Sequence, residues 1–426
     1  MMKKSLSCFI TLCLLFFIAS PSFATVNTEN LTIDSGACIL VENSTGKVVF
    51  EKNSKDKMYP ASTTKIITAL LALENCKLED TVVASRNAIK SISSDYATVY
   101  LNVGEELTVE QLLNILLIPS GNVAANILAE HISGSIDSFV SLMNKRAQEL
   151  GCVNTNFTNA YGLHDDNHYT CAYDLYLISK EAMKYDAFRN IVSKTSYHLG
   201  PTNMYSKDDR DFYTTNDLIK PNSSKRSDNY YYANAIGIKT GHTSQAKDCL
   251  VAAASKDGLE FISVVLGASK NSQGLSQRYL ETKKLFNFAY NNYFLRTVRE
   301  ENSVFKQVEI KDATKDTKML DVLVKDKLTV LVDKDDLYAT LPPEATINEN
   351  LKAPISKGDV IGHIKYNVEG ISYESDLIAG QDVEKSNFVF IMIGISIFIF
   401  LILILALRIL FRNRKPKKIK YNNFKI

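Results

Sequence analysis

Apolar residues along this chain fall into three kinds of run, and each kind predicts a different element. Short β-branched runs predict strands at Cys38–Val41, Lys47–Glu51, Ala235–Thr240, Cys249–Ser255 and Leu259–Leu266. Asn43-Ser44-Thr45-Gly46 separates the first two, and Asp257-Gly258 the last two; both accept positive φ and read as antiparallel hairpin turns. Helical spacing predicts helices that enter after Pro60, run from Val123 to His131, and close an α/β region with Leu275–Tyr290. From about Arg296 to Glu384 the texture changes to short β-rich runs, such as Leu328–Val332 and Val360–Ile364, punctuated by Pro342-Pro343 and Lys357-Gly358-Asp359. This predicts a separate small β-sandwich over 296–384.

The third kind of run is long. Phe388 to Leu407 is an uncharged stretch of twenty residues, which as a helix rising 1.5 Å per residue spans roughly 30 Å of hydrocarbon. Arg408, Arg412, Arg414, Lys415, Lys417, Lys418, Lys420 and Lys425 follow without an acidic residue, which places the 408–426 tail in the cytoplasm and the preceding chain outside. At the other end Lys3 and Lys4, the apolar run Leu6–Ile18 and Ser22-Phe23-Ala24 have the form of an export signal over 1–24. The expectation is a single-pass protein of the cell membrane with residues 25–295 as its main extracytoplasmic domain.

Charge and cysteine content narrow the function classes. Setting aside the ten basic residues of the two ends leaves 39 Lys and Arg against 47 Asp and Glu, an acidic body that argues against a nucleic-acid partner. Of seven cysteines, five lie beyond the signal at 38, 76, 152, 171 and 249, without the CxxC spacing of a zinc knuckle or the even count of a disulfide framework.

The chemistry concentrates in three short segments. Tyr59-Pro60-Ala61-Ser62-Thr63-Thr64-Lys65 turns into an apolar helix. Ser62 would then lie in its first turn, where unpaired N–H groups can hold an oxyanion. Lys65, three residues on, would reach the same side. A serine hydroxyl needs a neighbouring base, and a lysine serves only if burial or a nearby cation lowers its pKa. Ser-x-x-Lys occurs five times in the chain, so the spacing alone proves little, but only Ser62/Lys65 opens an apolar helix. Ser120 and Asn122, in Ile118-Pro119-Ser120-Gly121-Asn122, offer a hydroxyl and an amide just before a helix; a plain helix cap is their bland alternative. Lys239-Thr240-Gly241 ends a strand, with a cation for a carboxylate and a glycine that lets backbone approach closely.

These three elements in this order are those of the penicillin-recognising serine enzymes. Pro60–Lys65, Asn159–Thr170 and Gly237–Thr243 further resemble the D-alanyl-D-alanine carboxypeptidase family, the low-molecular-weight penicillin-binding proteins. The resemblance implies an α+β fold of the penicillin-binding-protein and β-lactamase type, a five-stranded antiparallel sheet with a helical lobe, followed by a small all-β domain. It implies Ser62 as acylated nucleophile, Lys65 as base, Ser120 and Asn122 as the second element, and Lys239, Thr240 and Gly241, with His242, as the substrate-carboxylate side. The backbone N–H groups of Ser62 and His242 would form the oxyanion hole. The substrate would be a peptidoglycan pentapeptide stem ending in D-Ala-D-Ala, with β-lactams as inhibitors and neither metal nor other cofactor.

Rival readings are weaker. His164 and His168 are four apart but lie in a loop unlike a zincin helix. Ser227-Asp228-Asn229 spells the second element literally, yet it stands ten residues before Lys239 in a polar loop. A β-lactamase would carry Glu-x-x-Leu-Asn between Asn122 and Lys239, which is absent, and a non-catalytic scaffold would have lost the serine or the lysine. The chain departs from the family at Ala246-Lys247-Asp248, where an Ala-Gly pair is usual, a change expected to alter hairpin shape without removing a catalytic group. It departs again in having a full span where many relatives carry an amphipathic helix.

Overall fold

The structure, a computed structural model, describes residues 31–93, 96, 99–221 and 230–412. The expected export signal, Ser227-Asp228-Asn229 and the tail after Arg412 lie outside those residues. The described chain divides into two compact units, one running to Leu295 and including Leu331–Ala339, the other formed by Arg296–Val330 and the chain from Thr340 onward.

The first unit is built on a five-stranded antiparallel sheet. Its strands are β1 (Ala37–Glu42), β2 (Val48–Lys52), β3 (Ala235–Thr243), β4 (Lys247–Lys256) and β5 (Leu259–Ala268), in the order β2-β1-β5-β4-β3. All six residues of β1 are buried, and β4 and β5 are buried through most of their length. Strands covered on both faces read as continuous apolar runs, which is how these appear in the sequence. Asp257 and Gly258 sit at φ 52° and 82°, the paired positive angles of a tight hairpin. β3 is an edge strand, and that leaves one side of Lys239-Thr240-Gly241 without a strand partner.

A helical lobe surrounds α1 (Lys65–Asn75), whose residues from Lys65 to Ala72 are all buried. It is packed by α2 (Val109–Leu117), α3 (Asn122–Ser133), α4 (Ile136–Glu149) and α5 (Ala172–Ala182). Thr108 and Gln111 form a capping box at the start of α2, and Gly134 at φ 74° ends α3 in the left-handed cap that glycine adopts without strain. α6 (Gln277–Asn292) covers β4 and β5, starting two residues later than its periodicity suggested. The Ser276 hydroxyl is drawn to Asp248 and its N–H to Tyr230. The five cysteines among the described residues of this unit are all free thiols, four of them buried.

The second unit is all β up to its last helix. Strands β6 (Val304–Glu309), β7 (Met319–Val324), β8 (Glu344–Ile347), β9 (Val360–Val368) and β10 (Ile371–Ala379) pair antiparallel in the order β6-β7-β10-β9-β8. Glu369 and Gly370, at φ 49° and 82°, turn β9 into β10. The chain then enters α7 (Phe388–Arg412), in which Ile391–Phe411 is long and apolar enough to cross a membrane. All of its isoleucine, leucine and phenylalanine side chains along this stretch except Ile404 are exposed, an arrangement that water would penalise and lipid would not.

Candidate active site

Ser62 does not sit in a regular α-helical turn. Ala61–Thr64 form a 3-10 turn that runs straight into α1, and Ala61 is held at φ 48°, a conformation that costs a non-glycine residue about 1–2 kcal/mol. The side chains around it offset that strain. Thr63 donates to the carbonyl of Pro60 at 2.7 Å, and Thr64 to that of Ala61 at 2.9 Å. Behind Thr64 lies His168, 1% exposed, with Nε2 2.8 Å from the Thr64 hydroxyl. Its Nδ1 accepts the Thr158 N–H at 3.0 Å, which fixes the tautomer: Nε2 carries the proton and donates it to Thr64. Both ring nitrogens are therefore engaged in shaping the nucleophile turn, and a zinc reading of His164 and His168 would have to break that network.

Two glycines let other segments press onto this turn. A Cβ on Gly162, at φ 90°, would lie 1.9 Å from the carbonyl oxygen of Ala61. A Cβ on Gly241 would lie 2.9 Å from the carbonyl oxygen of Pro60 and 3.1 Å from the nitrogen of Ser62. Real side-chain carbons do not approach so closely, so the loop at 162 and the edge of β3 reach the serine only because both residues lack one. Asn159 shapes that loop, its Oδ1 accepting the N–H groups of Gly162 and Leu163 at 2.7 and 3.0 Å.

The amine of Lys65 lies 3.0 Å from Oγ of Ser62 and donates to the carbonyl of Tyr161 at 2.8 Å. It has no solvent exposure. Burial, and then the charge of Lys239, hold its pKa well below the ordinary lysine value, so the neutral amine needed to take a proton from serine is accessible. Lys239 is buried as well, donating to the carbonyl of Thr240 at 3.0 Å. Burial first, and then Arg278, lower its pKa to about 7.

The second element has a different local form from a helix cap. Ser120 sits at φ 67° and is almost buried, Gly121 is the N-cap of α3, and no side chain caps that helix. Asn122 is the first helical residue and turns its amide to the carbonyl of Tyr96 at 2.5 Å. Ser62, Asn122, Tyr161, His164 and His242 line one cleft of about 570 Å³. His164 packs edge-on against Tyr59 at 4.7 Å between ring centres.

Beyond the three segments, the structure adds residues that sequence reasoning missed. Arg278, on α6, donates to the carbonyl of Gly241 at 3.0 Å and approaches Asp248 at 3.5 Å. Asp248 also lies 2.9 Å from Nδ1 of His242 and accepts from Ser276. The unusual Ala246-Lys247-Asp248 run thus does more than reshape a hairpin, since it sets a carboxylate between the histidine and the arginine beside β3. Thr240 meets the hydroxyl of Thr215 at 2.5 Å. No periodicity or spacing marks these residues; Asp248 alone had a signal, in being a departure from the family pattern.

A serine beside a buried lysine of lowered pKa, at the edge strand of an antiparallel sheet that carries a second buried lysine, defines the class of serine acyl-transfer enzymes that react with penicillins. The family comparison gives the particular member. The model of the D-alanyl-D-alanine carboxypeptidase family matches residues 24–270, and that of the penicillin-binding protein 5 C-terminal domain matches residues 293–385. The chain belongs to the D-alanyl-D-alanine carboxypeptidase family, a family of peptidases. It is 33% identical over 399 residues to the D-alanyl-D-alanine carboxypeptidase DacF of Bacillus subtilis, covering 91% of this chain and 96% of that one. With DacC of Escherichia coli it shares 30% over 387 residues, covering 88% and 90%. Among solved structures, penicillin binding protein 5 of Haemophilus influenzae superposes with a TM-score of 0.62 at 26% identity, over 83% of this chain and 98% of that one. The Streptomyces K15 DD-transpeptidase does so at 0.54 and 31%, over 61% and 98%.

Proposed function

We propose that this protein removes the terminal D-Ala from peptidoglycan stem peptides through an acyl-enzyme on Ser62. The observation that carries the reading is the buried amine of Lys65, 3.0 Å from the Ser62 hydroxyl and held well below its usual pKa. Neutral Lys65 takes the hydroxyl proton as Oγ attacks the carbonyl carbon of the penultimate D-Ala. The oxyanion so formed is held by the backbone N–H groups of Ser62 and His242. Collapse breaks the peptide bond, and the departing amine takes up a proton passed on through Ser120 while Asn122 holds the stem backbone. Lys239, Thr240 and Gly241 receive the terminal carboxylate, with Arg278 alongside. Water then hydrolyses the ester and restores Ser62. A β-lactam enters the same steps but keeps its leaving group tethered, so its ester persists.

The same reading gives the chain its layout. Residues 1–24 are the export signal, 25–295 the carboxypeptidase domain and 296–384 a membrane-proximal β domain. Residues 388–407 span the membrane, leaving the catalytic domain outside and the basic 408–426 tail in the cytoplasm.

Intact mass spectrometry of the detergent-solubilised protein with benzylpenicillin tests the nucleophile. A stable penicilloyl adduct is expected on the unmodified chain and on Ser44→Ala, and none on Ser62→Ala. An adduct that survives in Ser62→Ala would remove this serine from the mechanism, and hydrolysed drug without a lasting adduct would point to a β-lactamase.

A further inference from the structure

Thr215 stands between the second and third elements without belonging to either. Its N–H donates to the carbonyl of Ile118, two residues before Ser120, at 3.2 Å. Its carbonyl accepts the Tyr279 hydroxyl at 3.1 Å, and its own hydroxyl meets that of Thr240 at 2.5 Å. Tyr279, 1% exposed, has no freedom to reverse its bond. Its oxygen also receives the N–H of Asp217 at 3.2 Å and Nη2 of Arg278 at 3.3 Å, both obligate donors. A phenol with two acceptor positions filled must donate to the third partner, which is Thr215. The backbone of Thr215 is thus clamped on both sides, which fixes the direction from which its exposed side chain reaches Thr240, itself 6% exposed.

We infer that Thr215 is a positioning residue for recognition of the terminal carboxylate: its O–H donates to Oγ1 of Thr240, so that the O–H of Thr240 is directed at the substrate. A carboxylate only accepts hydrogen bonds. Thr240 can serve it only by donating, and a hydroxyl has one proton, so the short Thr215–Thr240 contact must then be donated by Thr215. Two hydroxyls aligned in series also polarise one another, which strengthens the bond to the anion. This deepens the carboxypeptidase reading and rests on it.

The test compares two peptides, one ending in D-Ala-D-Ala carboxylate and the other in the corresponding terminal amide, on the full-length protein in detergent. The unmodified protein is expected to prefer the acid in kcat/KM. Thr215→Val, whose methyls exclude water from Oγ1 of Thr240, is expected to lower that preference roughly fivefold to tenfold, mainly through KM on the acid, and Thr215→Ser to restore most of it. In a Thr240→Val background, Thr215→Val is expected to change the preference no further, because the effect passes through that hydroxyl. Equal losses on both peptides, an unchanged preference, or a full effect in the Thr240→Val background would each overturn the inference. Penicilloyl labelling of Ser62 in the same samples separates the two levels. Labelled, peptide-cleaving protein with an unaltered preference in Thr215→Val sinks the role of Thr215 alone, whereas an unlabelled and inactive parent protein sinks the carboxypeptidase reading and this inference with it.

Discussion

His168 holds Thr64 through a 2.8 Å bond from Nε2, and Thr64 passes that restraint to the strained carbonyl of Ala61, one residue before the candidate nucleophile. A neutral imidazole is required for this arrangement, since Nδ1 must accept an N–H. Burial is the main cause that lowers the pKa of His168 from 6.5 to about 4.

Stability should therefore depend on pH in a definite window. The unfolded chain takes up a proton below pH 6.5 while the folded chain resists until about 4, so the contribution of His168 is intact above 6.5 and is lost as pH falls towards 4. The full loss is about 3 kcal/mol, on the rule that one pKa unit is worth about 1.4. Urea midpoints at pH 7 and pH 4.5 measure most of it. His168→Gln is expected to be less stable at pH 7 and to show a flatter fall between the two values; an unchanged fall would assign the pH dependence to other groups.

The two buried lysines make opposite demands on pH. In the proposed mechanism Lys65 acts as a base only when neutral, which sets the acid limb of kcat/KM, whereas Lys239 attracts a carboxylate only when charged and loses its proton above about 7 in the free enzyme. Because the charge of Lys239 itself lowers the pKa of Lys65, the limbs belong to the pair. Lys239→Arg keeps the charge at all accessible pH. It is expected to cost rate through altered geometry, yet to move the alkaline limb upward by more than one pH unit. A pH–rate profile with an unmoved alkaline limb would remove Lys239 from substrate recognition.

Gly162, buried where its loop meets the nucleophile turn, should resist replacement by even the smallest side chain. Gly162→Ala would set a carbon 1.9 Å from the carbonyl of Ala61, and displacement of the nucleophile turn by about 1 Å is expected to slow penicillin acylation by about 100-fold. Gly134→Ala provides the comparison, because that glycine also has positive φ but meets nothing within 4 Å. It is expected to cost about 1 kcal/mol of stability with acylation unaffected. Stopped-flow acylation rates and thermal midpoints on the two variants distinguish local crowding from the loss of a glycine as such.

Much of the fold was legible because its signals are local. Asp257-Gly258 marks its own hairpin, and the continuous apolar runs of β1, β4 and β5 announce strands covered on both faces. The three short segments of the site were likewise visible as strings. What could not be seen was anything that depends on long-range approach. Arg278 and Asp248 are thirty residues apart in sequence and meet only because α6 starts beside the β3–β4 hairpin. The 3-10 form of the Ser62 turn was missed because it depends on Ala61 at positive φ, which residues 158–168 help to hold from nearly a hundred positions away. The bland alternative for Ser120 and Asn122, a helix cap, is not what the chain forms: Gly121 is the N-cap of α3, and the Asn122 amide donates to the Tyr96 carbonyl, a contact no local pattern announces.

The five free thiols among the described residues of the first unit have a bearing on how such a chain closes. Burial pushes Cys38 and Cys171 up to about 12 and Cys249 to about 11, so each stays protonated and slow to react with oxidants or with another sulfur. Many small domains are held together by oxidation, whereas the described part of this unit is held by a large apolar interior without a cross-link. Closing the described part of this unit therefore forms no sulfur–sulfur bond and consumes no oxidant.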